Sequence, residues 1–389
     1  MIKIGIIGGP NKGKTTFFVA ATLKNAKIAN YPFTTIEPNR GIAYACVECV
    51  CREFGVKCEP KNSICVNGMR LLPVEIIDVA GLVPGAHEGR GMGNKFLDDL
   101  RQASVLINVI DISGETNEQG ELVDGYNPVN DVIFVEKEID KWFFSIINRQ
   151  IEKLKRKIIF EKKNPIRELA QSFSGLGVTE ENVREALNKN PIEEWDTEEV
   201  EQFAKTLRKI SKPIIIAANK VDKNSSERNL KKVKKELSNR VIVPTSAEAE
   251  LALRKAHNAG LIEYYPWNGF RILKDLNDKQ KRALEIIKKI FEKFGGTGVQ
   301  ECINRAIFDV LKCIVVFPVA NERKLCDTHG NVLPDALLIK EGLTVRDLAY
   351  KIHSDIGKKF ISAVDVRTGK FLAEDYKLKH RDVVKILAS

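Results

Sequence analysis

The sequence contains no run of about 18 uncharged apolar residues, the length that predicts a membrane-spanning helix. Its first segment, Met1–Ile7, leads into a glycine-containing loop and has no signal-peptide cleavage pattern, so we interpret this segment as a buried strand. These absences predict a cytoplasmic protein without a membrane partner.

The composition is that of a folded globular protein, with 43% hydrophobic and 29% charged residues. A length of 389 residues predicts two or three domains. The net charge of +10 favours a polyanionic partner, although a well-solvated surface explains it equally simply. No feature predicts DNA specificity, and we expect a monomer and not an obligate oligomer.

The first motif joins the apolar strand Ile4–Ile7 to a helix-compatible run, as the G-x-x-x-x-G-K-T phosphate loop does. Glycines there let backbone N–H groups face phosphate oxygens. Lys14 is predicted to reach the β- and γ-phosphates, and the Thr15 hydroxyl to ligate Mg²⁺. A glycine turn without a ligand is the alternative. The predicted nucleotide-binding residues of the loop are Gly8, Gly9, Pro10, Asn11, Lys12, Gly13, Lys14, Thr15 and Thr16.

A second motif, D-x-x-G, follows the predicted strand Leu71–Ile77. Asp78 is expected in the Mg²⁺ shell, and Gly81 is expected to bring its N–H close to the γ-phosphate. In the loop between the two motifs, Thr35 is our choice for a threonine that closes onto Mg²⁺, with Thr34 second. The predicted catalytic residues are Lys14, Thr35 and Gly81, and the predicted Mg²⁺ ligands are Thr15, Thr35 and Asp78.

The third motif, N-K-x-D, follows the predicted strand Pro213–Ala218. The Asp222 carboxylate can accept hydrogen bonds from the guanine N1–H and 2-amino group, a donor pair that adenine lacks. Asn219 is expected to support the loop, the Lys220 stem to lie over the ring, and the Ala247 N–H to bind guanine O6. The predicted guanine-binding residues are Asn219, Lys220, Asp222, Ser246 and Ala247. Together the motifs predict binding of GTP or GDP.

Four stretches carry a resemblance to a known family: Gly8–Thr15, Tyr31–Thr35, Asp78–Ala86 and Gly89–Leu97. In them the chain resembles the Obg family of translation-related GTPases, nearest to its YchF-like branch. The resemblance implies slow GTP hydrolysis and a nucleotide-dependent switch that acts on the ribosome or another RNA.

The resemblance also implies a three-part α/β architecture. A P-loop GTPase domain, with a mostly parallel sheet flanked by helices, is expected at residues 1–125 and 211–312. An α-helical insertion is expected at 126–210. A C-terminal ubiquitin-like β-grasp (TGS) domain, a module of translation proteins that engages RNA or only packs, is expected at 313–389.

Two departures from related enzymes leave alternatives open. YchF-like proteins often replace N-K-x-D with a sequence that favours adenine; the motif is intact here, so we predict GTP, with an ATPase as the alternative. Leu82 stands where Ras-like enzymes carry a water-orienting glutamine. Leucine cannot orient water, which keeps a non-catalytic, nucleotide-gated RNA-binding switch as a second alternative.

Two polar residues are candidates for completing the catalytic site. Asn11 occupies the position where some members of the larger group coordinate K⁺, and its alternative role is a loop cap. His87 is a candidate for positioning water, or an exposed histidine of the switch loop.

Three further stretches carry predictions. The predicted helix Asp131–Lys163 has a basic central part that is either an RNA-facing stripe or a solvated face. The apolar spacing of Thr344–Ile356 predicts one amphipathic helix. Five cysteines are candidates for a Zn²⁺ site, with free thiols or an occasional disulfide as alternatives: Cys46, Cys49, Cys51, Cys58 and Cys65.

Overall fold

The computed structural model describes residues 1–22, 39–79, 81–82 and 99–389. The chain forms two compact units. The larger unit comprises Ile2–Gly41 and Glu75–Cys302, and the smaller unit comprises Met1, Ile42–Val74 and Ile303–Ser389. None of the helices in the described ranges is both long and apolar enough to span a bilayer.

A mostly parallel sheet positions the predicted nucleotide-binding motifs. Its strands are β1 (Lys3–Ile7), β2 (Arg40–Glu48), β3 (Ile64–Val66), β4 (Met69–Asp78), β5 (Val105–Asp111), β6 (Ile214–Asn219) and β7 (Ile242–Pro244). Their order is β2-β4-β1-β5-β6-β7, with β3 beside β4. The run β4-β1-β5-β6-β7 is parallel, and every residue of β5 is buried, as expected for a strand covered on both faces. The carboxyl ends of these strands therefore meet at one edge.

The helices of this part of the chain lie between these strands or follow them in sequence. They are α1 (Lys14–Thr22), α2 (Val129–Lys155), α3 (Pro165–Ser172), α4 (Glu180–Lys189), α5 (Thr197–Ser211), α6 (Ser226–Glu236), α7 (Ala247–Asn258), α8 (Asp278–Phe294) and α9 (Val299–Arg305). Trp142 and Phe143 of α2 share a core with Ile7 of β1 and Ile77 of β4. The predicted insertion therefore has no core separate from the sheet, and the domain limits given above stay predictions.

Two π-helical turns, a 3-10 turn at Ser174–Leu176 and a β-hairpin accompany these helices. A π-helical turn, Arg156–Phe160, continues α2, and a second one, Ala306–Val310, continues α9. The hairpin β8 (Ile262–Tyr265) and β9 (Gly269–Ile272) follows α7. It packs through Tyr264 against the same core as α8.

The smaller unit contains a second sheet, of order β11-β10-β14-β12-β13. Its strands are β10 (Cys313–Val319), β11 (Leu337–Lys340), β12 (Phe360–Asp365), β13 (Phe371–Leu372) and β14 (Val383–Ala388). β10 and β14 are parallel, while the other pairs are antiparallel. Helix α10 (Val345–Ile352) buries Val345 and Leu348 against Ile314 and Val316 of β10. A helix packed on a mixed sheet is the β-grasp arrangement that the resemblance implied.

The predicted helix Thr344–Ile356 is wrong in its length. α10 ends at Ile352 and a separate helix, α11, covers Ser354–Lys358. Between them His353 is extended, with φ −160° and ψ 140°, and its Nδ1 accepts a hydrogen bond from the Asp355 N–H at 3.2 Å. The histidine therefore caps a new helix, a local interaction that the apolar spacing does not reveal.

Candidate nucleotide-binding site

The predicted phosphate loop connects β1 to α1, so it lies at the carboxyl edge of the sheet and at a helix N-terminus. Gly8 has φ +141°, and a Cβ there would lie 2.4 Å from the Val109 carbonyl oxygen. Gly13 has φ +93°, and a Cβ there would lie 2.3 Å from Asn219 Nδ2. Side chains are excluded at both positions, which leaves the backbone open for the close approach of a phosphate group.

Lys14, the first residue of α1, reaches back across the loop. Its Nζ donates a hydrogen bond to the Gly9 carbonyl at 2.7 Å. Burial lowers the pKa of Lys14, with Lys12 acting in the same direction and Asp78 opposing it. A Cβ on Gly81 would lie 3.2 Å from Lys14 Nζ. The loop therefore holds a partly desolvated ammonium beside Gly81, where phosphate charge would stabilise it.

Two predicted Mg²⁺ ligands are in direct contact. Thr15 Oγ1 donates to Asp78 Oδ2 at 3.1 Å, where β4 ends beside the start of α1. Burial raises the pKa of Asp78, against the opposing effects of the Thr15 hydrogen bond and the Lys14 charge. A hydroxyl and a partly buried carboxylate are a donor set that fits Mg²⁺. Thr35 and Thr34, the other candidates for this metal, lie outside the described residues, as does His87.

Asn219 connects the predicted guanine loop to the phosphate loop. It is the last residue of β6 and is 3% exposed. Its Nδ2 donates to the Lys12 carbonyl at 2.9 Å, and its Oδ1 accepts from the Ala247 N–H at 3.0 Å. The asparagine thereby connects the base loop after β6 to the phosphate loop and to the start of α7. Because the Ala247 N–H is engaged by Asn219, its assignment to guanine O6 stays a prediction.

Asp222 is held in place by the residue that begins α7. The Ser246 hydroxyl donates to Asp222 Oδ1 at 2.8 Å, and the same Oγ accepts from the Ala249 N–H at 3.3 Å. Ser246 is therefore both the N-cap of α7 and the anchor of the aspartate. The Asp222 residue itself is exposed, so its carboxylate is available to a base.

Asp111 is a structural residue of this site that none of the three sequence motifs contains. It ends β5, and its Oδ2 accepts a hydrogen bond from Lys220 Nζ at 2.8 Å and another from Thr116 at 2.7 Å. Burial alone would raise the pKa of Asp111, but the bonds from Lys220, Ser113 and Thr116 outweigh it and lower that pKa. The ion pair fixes the head of the Lys220 side chain, whose stem was predicted to lie over the base.

Lys12 differs most from its predicted role. Its side chain is fully buried, and Nζ forms an ion pair with Asp131 Oδ2 of α2 at 2.8 Å. Nζ also donates to the Thr116 carbonyl at 2.8 Å and lies 5.1 Å from the centre of the Tyr126 ring. Burial raises the pKa of Asp131 to about 6, and the charge of Lys12 opposes that shift. The Lys12 side chain therefore attaches the phosphate loop to α2. The Lys12 backbone carbonyl accepts the hydrogen bond from Asn219.

Two further positions bear on hydrolysis. Asn11 has a left-handed backbone (φ 57°), and its Nδ2 donates to the Gly120 carbonyl at 2.9 Å. Leu82 is 1% exposed and packs in the core with Ile7 and Ile77. The Leu82 side chain is thus directed into the protein interior and cannot orient an attacking water.

A phosphate loop, the adjoining Thr15–Asp78 pair and the predicted base loop at one edge of a parallel sheet define a P-loop nucleotide-binding protein of the GTPase class. Three family profiles match the chain. They are an Obg-like GTPase (YGR210-like) G4 motif-containing domain at 217–321, a 50S ribosome-binding GTPase at 3–157 and a TGS domain at 329–388.

Known relatives cover the chain from end to end. A GTP-binding protein of Methanocaldococcus jannaschii is 51% identical over 394 residues, covering 100% of both chains. A ribosome-binding ATPase YchF of Buchnera aphidicola is 28% identical, covering 98% of this chain and 93% of the relative. A crystal structure of a GTP-binding protein from Pyrococcus horikoshii matches with a TM-score of 0.82 at 39% identity, covering 100% of both chains. The chain belongs to the Obg-like GTP-binding proteins, in the YchF-like branch that carries a C-terminal TGS domain.

Proposed function

We propose that this protein binds GTP with Mg²⁺, hydrolyses it slowly to GDP and phosphate, and uses the nucleotide state to control binding to the ribosome or another RNA. The observation that carries the proposal is the Asn219 bridge, which joins the base loop to the phosphate loop by the bond to the Lys12 carbonyl at 2.9 Å. A single nucleotide can therefore contact both loops.

Preference for GTP over ATP rests on Asp222. Its carboxylate is positioned by Ser246 and can accept from the two donors on the guanine edge. Adenine has no 2-amino group and presents an unprotonated N1, which would face a carboxylate without a hydrogen bond. The relatives named as ATPases make ATP the competing substrate, so the comparison of the two nucleotides is the first test.

The residues that would face the bound phosphates suit in-line attack by water. Lys14 and the loop N–H groups would stabilise the negative charge that develops on the transferred phosphoryl group. A bound Mg²⁺ would supply further charge neutralisation, with Thr15 and Asp78 holding it.

The inward position of Leu82 leaves the attacking water without a glutamine, so intrinsic turnover should be slow. K⁺ near Asn11, or an RNA partner, would complete the site. The same leucine favours a second candidate function, a nucleotide-gated RNA-binding switch without hydrolysis.

RNA binding has a candidate surface at the end of α2. Residues 149–163 contain seven basic and two acidic side chains. Arg149, Lys153 and Arg156 are exposed, and Phe160 is 78% exposed. Cations with an exposed aromatic ring suit phosphates and unstacked bases. The ribosome-binding names of the relatives agree with such a partner.

One set of measurements separates these functions. Affinities for GTP, GDP and ATP with Mg²⁺ test base preference, and higher affinity for ATP would contradict the Asp222 argument. Phosphate release is measured with K⁺ or Na⁺, with and without ribosomes. Turnover under any of these conditions supports the enzyme, and its absence under all of them favours the switch.

The RNA surface is tested by co-sedimentation with ribosomes in the GTP and GDP states. Arg149→Glu combined with Lys153→Glu should weaken binding and reduce its salt dependence. Lys279→Glu with Lys281→Glu, on the exposed start of α8, is the matched control and should bind normally. Equal binding by both double variants would remove this surface from the proposal.

A further inference from the structure

A segment of the smaller unit has little regular structure and yet is packed. Residues 49–63, between β2 and β3, contain turns and bends but neither helix nor strand. Connections of this length in compact domains are uncommon unless something organises them. Cys49, Val50 and Cys51 are nevertheless buried, in one core with Phe317 and Leu333 of the same unit. Contacts other than those of regular helices and strands therefore fix the segment.

Four thiols converge at this segment. The Sγ atoms of Cys49, Cys51, Cys58 and Cys65 all lie within 4.8 Å of one another, and those of Cys51 and Cys65 are 3.8 Å apart. A tetrahedral ion with metal–sulfur bonds of ~2.3 Å sets its ligand sulfurs ~3.8 Å apart. A disulfide requires ~2.05 Å, and all four cysteines are free thiols. The spacing thus matches ligands of a single metal ion better than a pair of disulfides.

We propose that Cys49, Cys51, Cys58 and Cys65 bind one Zn²⁺ ion as a closed, structural site. Four thiolate ligands leave no position for water or substrate, which is the pattern of structural and not catalytic zinc. The fifth cysteine that the sequence offered, Cys46, lies in β2 and is not part of the cluster; its thiol contacts the Tyr44 carbonyl at 3.8 Å.

The charge around the segment suits such a site. Zn²⁺ with four thiolates carries a net negative charge, which is costly to bury without compensation. Arg70 is a fully buried cation in this part of the unit. Its guanidinium donates to Ser63 Oγ at 3.1 Å and to the Leu333 carbonyl at 2.8 Å. It therefore brings positive charge to the segment that holds the thiolates.

The metal would hold the segment in the shape that contacts residues 332–336, which lead into β11. The Glu59 N–H donates to the Val332 carbonyl at 2.7 Å, and the Lys61 N–H donates to the Pro334 carbonyl at 2.8 Å. The Asn62 side chain accepts from the Ala336 N–H at 3.0 Å. Cys58 and Cys65 flank this row of contacts along the chain. Zinc binding would therefore be coupled to the folding of this part of the smaller unit.

The test is the metal content of the full-length, untagged protein purified under reducing conditions without chelators. Elemental analysis should give one zinc per chain, and a thiol-modifying mercurial should release it. Cys58→Ser and Cys65→Ser should lose the metal, while the control Cys46→Ser should retain it. Cobalt substitution keeps the test independent of variant folding, because wild-type protein reconstituted with Co²⁺ should show the visible bands of a tetrahedral thiolate site.

Four results would overturn the proposal. They are wild-type protein without zinc or cobalt bands, iron in place of zinc, equal metal loss from Cys46→Ser, or a disulfide among these cysteines in protein kept under nitrogen. The site lies outside the predicted nucleotide-binding residues, so this outcome does not depend on the nucleotide assays.

Discussion

Replacement of Asp222 by asparagine should exchange the base that the protein recognises. Asp222 Oδ1 accepts from Ser246 at 2.8 Å, and the oxygen of an asparagine amide can keep that bond. The amide nitrogen then replaces Oδ2. Its N–H groups face the N–H groups of the guanine 2-amino group, and two donors cannot form a hydrogen bond. Hydrogen bonds to a charged acceptor contribute ~1.5–3 kcal/mol each, so the loss of the bond to Oδ2 should weaken GTP binding by ~10–10²-fold. Xanthine carries a carbonyl at position 2, which the new amide can satisfy.

The assay is competition of GTP, XTP and ATP against a fluorescent nucleotide with Mg²⁺, for wild type and Asp222→Asn. Wild type should prefer GTP, and the variant should bind XTP more tightly than GTP. Asp275→Asn makes the same charge change at another exposed position and should leave the preference for GTP unchanged. A gain of XTP binding cannot result from misfolding. Wild-type GTP affinity in Asp222→Asn would refute the argument that this carboxylate reads the base.

Three further predictions concern lysine side chains. Lys12→Met should destabilise the protein by about 3–5 kcal/mol in urea unfolding, because Asp131 is left buried without its cation. Lys12→Met with Asp131→Leu should recover most of that loss, and a single variant as stable as wild type would contradict the structural role of the pair. Lys14→Ala should lower single-turnover phosphate release by ~10²–10³-fold, since it removes the charge that faces the phosphates, and unchanged release would count against the proposed mechanism. Lys212 is 2% exposed, and burial lowers its pKa to about 8 from 10.5. The native state therefore binds fewer protons than the unfolded state between these values, so the contribution of Lys212 to unfolding free energy should rise by roughly 3 kcal/mol from pH 8 to pH 10.5. Lys212→Met should remove that rise in denaturation measured at both ends of the range, and the same slope in the variant would assign it to other groups.

The amino-acid sequence alone determined the strands and long helices, because apolar runs and the residues that end them lie within a few positions of one another. The strands that precede the three motifs are apolar runs bounded by glycine or polar residues, and they appear as β1, β4 and β6. The long helix predicted at Asp131–Lys163 likewise appears, as α2 and the π-helical turn Arg156–Phe160. Short helices were less predictable. The apolar pattern of Thr344–Ile356 continues past His353, but this histidine ends α10 and caps α11 through a hydrogen bond to the residue two positions later.

Tertiary structure decided what each polar side chain does. The sequence placed Lys12 in a phosphate loop, but its partner Asp131 lies more than a hundred residues away, and no local pattern pairs them. Asp111 likewise gained its role only when parallel pairing set the end of β5 beside Lys220. Among five candidate cysteines, the spacing left the set open, and folding brought four thiols together and left Cys46 apart. Motifs specify backbone shape and chemistry within a few residues, whereas burial and pairing depend on which strands and helices become neighbours.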